Sequence, residues 1–189
     1  MKIAEIEPTP NPNAMKFVLN EPITQGFATH SFESFETAHR VPLARDIFAI
    51  DHVISVYFAD RWITVTQDGG ADWSLLLREI AVPIRAAARE DAMPAGGPIG
   101  EDGEFDLADR PGMDDPRIPQ IEEVLELHIL PFLQGDGGGL QIMGLVDNEL
   151  VIRYEGACGT CPSSMSGTLL AIENLLQVEV DPDLVVTTF

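Results

Sequence analysis

The sequence predicts an α+β protein: two small α+β domains joined by a flexible acidic linker, the second domain in the order α-β-β-α-β. Three observations predict it. The stretch Asp91–Pro116 holds eight acidic residues, one Arg, five Gly and four Pro within 26 residues. So few large apolar groups cannot offset the entropy of ordering a chain, and a loop this long inside one compact domain is unusual. Beyond it, Ile118, Ile121, Val124, Leu125, Ile129 and Phe132 recur at helical spacing. Finally, runs rich in β-branched and aromatic residues flank short turns at Asp60 and at Asp147-Asn148, the pattern of two hairpins. The chain therefore divides into residues 1–92, a linker over residues 93–115, and residues 116–189.

In the first domain, Lys2–Glu7 and Met15–Leu19 are strand candidates separated by the turn-rich Pro8-Thr9-Pro10-Asn11-Pro12-Asn13. Val41–Ile50 reads as a short helix opening near Pro42. Val53–Phe58 and Trp62–Thr66 form the hairpin about Asp60. Ala71–Ala92 has helical spacing, with Trp73, Leu76, Leu77, Ile80, Ile84 and Ala88 on one side and Asp72 placed to cap it. Pro83 is expected to kink or break that helix. Trp62 and Trp73 are expected in the core, and the Thr9–Asn13 turn reads as structural, with partner docking as the sharper alternative.

In the second domain, Pro116–Leu133 is expected as one amphipathic helix whose outer face carries Glu122, Glu123 and Glu126. The run Gly135-Asp136-Gly137-Gly138-Gly139 ends it. Leu140–Val146 and Leu150–Glu155 follow as strands, then a helix over Pro162–Leu176 and a last strand, Leu184–Phe189.

Charge narrows the function. Eleven basic against 31 acidic side chains give a net charge of −20. Binding to nucleic acid needs clustered Lys and Arg, and an anionic membrane surface repels such a chain, so neither is expected as a partner. No apolar run approaches the roughly 18–20 residues of a membrane span. The opening Met1-Lys2-Ile3-Ala4-Glu5-Ile6-Glu7 has neither the apolar core of a secretory signal nor an Arg- and Ser-rich transit pattern. A bacterial cytoplasmic location is expected, with a mature mitochondrial form as the alternative.

The chemistry concentrates at Cys158-Gly159-Thr160-Cys161, which holds both cysteines of the chain. Two thiols two residues apart can face one centre, and the glycine between them permits a tight turn. Pro162 suits the first position of a helix, whose N-terminal partial charge would favour the Cys161 thiolate. Four uses are open. The pair could be inert. It could be a thiol–disulfide redox pair, although such pairs belong near a βαβ unit and this one follows an antiparallel hairpin. It could stabilise an interaction module through zinc, although zinc wants four ligands and His128 is a helix away. It could also be half of a shared site. An iron–sulfur cluster usually takes four thiolates, which two chains would supply; [4Fe-4S] and [2Fe-2S] satisfy that count equally.

Two motifs carry a resemblance. Leu130-Pro131-Phe132-Leu133-Gln134-Gly135-Asp136-Gly137-Gly138 and, about twenty residues on, Gly156-Ala157-Cys158-Gly159-Thr160-Cys161-Pro162-Ser163-Ser164 resemble the NifU C-terminal domain. Thr9-Pro10-Asn11-Pro12-Asn13-Ala14-Met15-Lys16-Phe17, Pro42-Leu43-Ala44, Ile47-Phe48 and Trp62-Ile63-Thr64-Val65-Thr66 resemble the Nfu N-terminal domain. The resemblance spans nearly the whole chain except the linker. It implies an iron–sulfur cluster scaffold and carrier, not an enzyme. Such a carrier receives a [4Fe-4S] cluster from upstream assembly proteins and delivers it to apo iron–sulfur enzymes. It implies Cys158 and Cys161 as the cluster ligands, a homodimer when the cluster is loaded, and partner contacts for the cysteine-free N-terminal domain. One departure stands out: Val178-Glu179-Val180-Asp181-Pro182-Asp183-Leu184 carries more acidic residues than the simpler Pro-Glu-Val turn usual in the family.

Around the thiols, Asp136-Gly137-Gly138-Gly139 reads as a helix stop and turn, with backbone approach to a cluster as the sharper reading. His128 reads as an ordinary helix residue. Arg153 and Tyr154 alternate across a strand and read as surface or packing residues, with one of them facing the cluster side as the sharper alternative.

Overall fold

The computed structural model describes residues 1–24, 29–92, 110–159 and 164–188. The chain divides into two compact units, Met1–Glu104 and Phe105–Phe189. Residues 93–109, most of the expected linker, lie outside the described residues.

The first unit is a five-stranded antiparallel sheet with helices against it. Its strands are β1 (Ile3–Pro8), β2 (Ala14–Leu19), β3 (Thr29–Phe32), β4 (Val53–Ala59) and β5 (Trp62–Gln67), in the spatial order β1-β2-β5-β4-β3. Phe17, Leu19, Phe32, Val56, Phe58, Ile63 and Val65 point from it into one core. Helix α2 (Pro42–Phe48) adds Leu43 and Ile47, and α3 (Trp73–Ala86) adds Leu76, Ile80 and Ile84. Asp72 caps α3 by accepting from the Ser74 N–H at 2.7 Å. The helix runs through Pro83 and ends three residues later, where the chain passes into a 3-10 turn over Arg89–Ala92. The expected break is thus displaced to Ala86. Trp73 packs on the core, and its indole N–H donates to the Pro12 carbonyl at 3.0 Å. That bond and the Asn13 N–H to Asn11 Oδ1 bond, 3.0 Å, tie the Pro-rich turn down. The short β3 and the helix α1 (Phe35–Ala38), opened by a capping box at Ser34, were not legible in the periodicity.

The second unit follows the predicted helix–strand order with one correction. Pro116–Leu133 is not one helix. It is α4 (Ile118–His128) and α5 (Leu130–Gly135), separated at Ile129. Pro131 has no N–H for the Leu127 carbonyl and crowds that turn, so the first helix stops before it. The break rotates Phe132, expected in the core, to 74% exposure, and Leu133 takes the buried place. Strands β6 (Gly138–Val146) and β7 (Glu149–Gly156) form the expected hairpin, with Asp147 at φ 54° in its turn. Helix α6 (Ser164–Glu179) leads to β8 (Val185–Thr188), which pairs parallel with β7. The sheet order is β6-β7-β8. Ile121, Leu125, Leu133, Ile142, Leu150, Ile152, Ile172 and Leu176 fill the core.

Residues 110–115, placed in the linker by composition, pack on this unit. The Pro111 carbonyl accepts from the Leu145 N–H at 2.9 Å, and Arg110 donates to the Ile142 carbonyl at 2.7 Å. Arg117 donates to Asp115 and Asp181, to Asn148 Oδ1 and to the Asp147 carbonyl. Asp181 is one of the acidic residues that depart from the family pattern. Its pairing with Arg117 at 2.8 Å clasps the approach to β8 onto the hairpin turn. A backbone N–H from Asp183 and the Arg117 guanidinium hold its carboxyl below the ordinary carboxylate range.

Candidate metal centre

Strand β7 delivers Cys158, and the loop from α5 into β6 receives it. The hairpin register sets Gly138 opposite Gly156. Gly137 and Gly156 both take positive φ, 79° and 61°. The Ala157 N–H donates to the Gly137 carbonyl at 3.2 Å, and the Gly159 N–H turns back to the Gly156 carbonyl, also at 3.2 Å. These bonds fold the turn after β7 against the glycine run before β6. The Cys158 thiol then lies directly over Gly138. A Cβ at that position would stand 2.5 Å from the sulfur and 2.7 Å from the Glu155 carbonyl oxygen, so only glycine fits. The run Asp136–Gly139 is therefore both a helix stop and the seat of a thiol.

Cys158 is only 2% exposed, packed into the core of the second unit with Tyr154. Its burial was not expected from a glycine-rich turn. Cys161 lies outside the described residues, as do Thr160, Pro162 and Ser163, so its sulfur is not placed relative to that of Cys158. Tyr154 is the member of the Arg153–Tyr154 pair that shares the interior with Cys158. Burial, and the charge of the Cys158 thiolate, push its phenol up to about 12. Arg153 points the other way, toward buried Glu155 at 3.7 Å and Gln141 at 3.4 Å. His128 is exposed on α4. Among the described residues, no three His, Cys, Asp or Glu side chains gather as a metal site.

Sequence reasoning missed two features here. One is the seat itself, for which the triple glycine was the available signal. The other is topology. Because β8 pairs parallel with β7, Cys158 opens a β7-α6-β8 crossover as well as closing a hairpin. The argument that the cysteines lack a βαβ setting is thereby corrected. The strand–helix–strand order was in the sequence, but the sense of the pairing was not.

Comparison with known proteins agrees with the two motifs. Residues 3–91 match the family model of the scaffold protein Nfu/NifU N-terminal domain, and residues 121–187 match that of the NifU-like domain. The chain is 34% identical over 176 residues to the human protein named NFU1 iron-sulfur cluster scaffold homolog, mitochondrial, covering 92% of this chain and 66% of that one. It is 33% identical over 179 residues to the protein of the same name from Drosophila ananassae, covering 92% of this chain and 59% of the relative. The chain thus spans about three fifths to two thirds of the length of these relatives. A crystal structure of a Staphylococcus aureus protein aligns with a TM-score of 0.41 at 26% identity, covering 44% of this chain and 99% of that one. The relatives' names correct the expected bacterial cytoplasmic location, since they describe mitochondrial proteins. With its first unit matching the one domain model and its second matching the other, the chain belongs to the Nfu/NifU family of scaffold proteins.

Proposed function

We propose that this chain is an iron–sulfur cluster scaffold and carrier. It holds a [4Fe-4S] cluster between two subunits through Cys158 and Cys161 and passes it to apo-proteins by thiolate exchange. The observation that carries the reading is the seating of the Cys158 thiol on Gly138, in a chain whose relatives are named as iron–sulfur cluster scaffolds. The thiol count supports sharing: the chain has two cysteines, and a cluster usually takes four thiolates.

The cluster is cargo. In each exchange step an acceptor thiolate forms a bond to iron while a carrier thiolate leaves and takes up a proton. No electron is transferred, and the iron keeps its ligand number. One bond replaces a similar one, so the barrier need not be large. With two ligands from each subunit, separation of the dimer completes release. Upstream assembly proteins supply the cluster, and apo iron–sulfur enzymes take it. The N-terminal unit, which has no cysteine, makes the partner contacts.

Anaerobic reconstitution with iron and sulfide tests this. A brown dimer with about four iron and four sulfide per two chains is expected, and Cys158→Ala or Cys161→Ala should abolish stable loading. About two of each would make the cargo [2Fe-2S]. A single-cysteine variant that still loads and transfers a [4Fe-4S] cluster would overturn the reading. So would a colourless protein that binds zinc instead.

The β7-α6-β8 crossover favours one second reading, a thiol–disulfide redox protein with Cys158 as nucleophile. It requires disulfide reduction by the iron-free chain, and reconstitution without such activity would remove it.

A further inference from the structure

Helix α6 meets water with almost no charge. Of its 16 residues only Glu173 and Glu179 are charged. Glu173 accepts from the Val186 N–H at 2.9 Å, and Gln177 donates to the Leu184 carbonyl at 2.7 Å, so both side chains are held toward β8 and its approach. Glu179 is the last residue of the helix. Between residues 167 and 178 the exposed positions are Gly167, Leu170, Ala171, Asn174 and Val178. Leu170 is 59% exposed and Val178 80%. The exposed apolar side chains of α3 and α4 have different neighbours. Leu75 and Val82 stand within one turn of Arg78, Glu79 or Arg85, and Leu127 within one turn of Glu123 and Glu126. Those charges favour water over a partner. A net charge of −20 makes two copies of this chain repel each other. On the uncharged face of α6 that repulsion is weak, and apolar surface is there to be covered.

We propose that this face docks a second copy of the chain, the two α6 helices lying antiparallel about a two-fold axis at Asn174. Leu170, Asn174 and Val178 follow at intervals of four, so they form one ridge along the helix. The ridge is symmetric about its middle. Turned end for end, it sets Leu170 on Val178 of the second copy, Val178 on Leu170, and Asn174 on itself. One amide N–H of Asn174 donates to the Leu170 carbonyl at 2.8 Å. The other N–H and Oδ1 are a donor and an acceptor, which match the same two groups of a second Asn174. A polar residue inside an apolar helix contact fixes its register. Gly167 and Ala171 add no bulk to hold the helices apart, and a Cβ at Gly167 would meet nothing. The ridge and its small neighbours fall well short of the roughly 20–30 residues a side of a stable interface, so the contact is weak and reversible. The inference deepens the two-subunit part of the carrier reading and rests on that reading for its purpose. The contact itself needs no cluster.

The test is sedimentation velocity on the full iron-free chain at rising submillimolar concentrations, in low and in high salt. The wild-type sedimentation coefficient is expected to climb with concentration, and more steeply in high salt, which screens the repulsion. Leu170→Lys and Val178→Glu should each weaken the pairing by about tenfold or more while melting as wild type does, because both side chains are exposed. Mixed together, the two variants should pair again. In the antiparallel arrangement Lys at position 170 of one chain meets Glu at position 178 of the other, and the second contact keeps its native Leu170 and Val178. If either charged variant fails to fold, Leu170→Ser and Val178→Ser take its place for the weakening. A wild-type chain that stays monomeric in high salt would overturn the proposal. So would variants that associate like wild type, or a mixture of Leu170→Lys and Val178→Glu that remains apart. A chain that pairs through α6 but takes up no cluster on reconstitution would sink the carrier reading and leave this face standing. A chain that loads a cluster while its pairing ignores both substitutions would do the reverse.

Discussion

The two units solve different problems with similar parts. The first closes a five-stranded sheet over a core anchored by Phe17, Phe32 and Phe58, with Phe32 and Phe58 edge-to-face at 5.4 Å between ring centroids. The second has three strands and an aliphatic core whose unusual members are a tyrosine without a described partner and a thiol. In the first, large side chains hold the fold. In the second, glycines clear space so that one sulfur can sit where a methyl group could not. The difference shows where each unit is vulnerable: loss of volume in the first, gain of volume in the second.

The largest effect should come from Phe58→Ala. Truncating a buried aromatic side chain costs about 3–5 kcal/mol. Chemical denaturation followed by Trp62 and Trp73 fluorescence should show an early loss of the first unit. If the second unit unfolds at the same midpoint as before, the two are independent; a shared shift would mean that they melt together. Gly138→Ala should come next, because the added Cβ meets both the Cys158 sulfur and backbone. Overpacking costs about 1–3 kcal/mol. Denaturation of the second unit, read by near-ultraviolet circular dichroism through Tyr154, should show it, and reconstitution should fail. Full cluster loading by Gly138→Ala would mean that the seat plays no part in loading. The smallest effect should be Phe132→Ser. This side chain is exposed, so apo stability should change by no more than about 0.5 kcal/mol. A loss of 2 kcal/mol or more would return Phe132 to the core.

Much of this architecture was legible because local chemistry decided it. Asp72 capped α3, Pro42 opened α2, and Asp147 turned the hairpin where their side chains and backbone preferences pointed. Failures came where a proline competed with periodicity. The apolar spacing ran unbroken through Pro131 to Phe132, and the missing N–H prevailed over the pattern. Pro83 did less damage because it lies close to the end of its helix. At the candidate site, Cys158 was legible as a residue, while Cys161 lies outside the described residues. The burial of Cys158 was not, because it depends on contact with a glycine twenty residues upstream. The parallel pairing of β8 was likewise a matter of tertiary contact, beyond what alternation within a strand encodes.

The placement of β7 has a mechanical consequence. It is the middle strand, bonded to β6 along most of its length and to β8 over Glu149–Ile152. A pull on Cys158 therefore meets first Arg153–Gly156, held by β6 alone, and only then the half of the strand gripped on both edges.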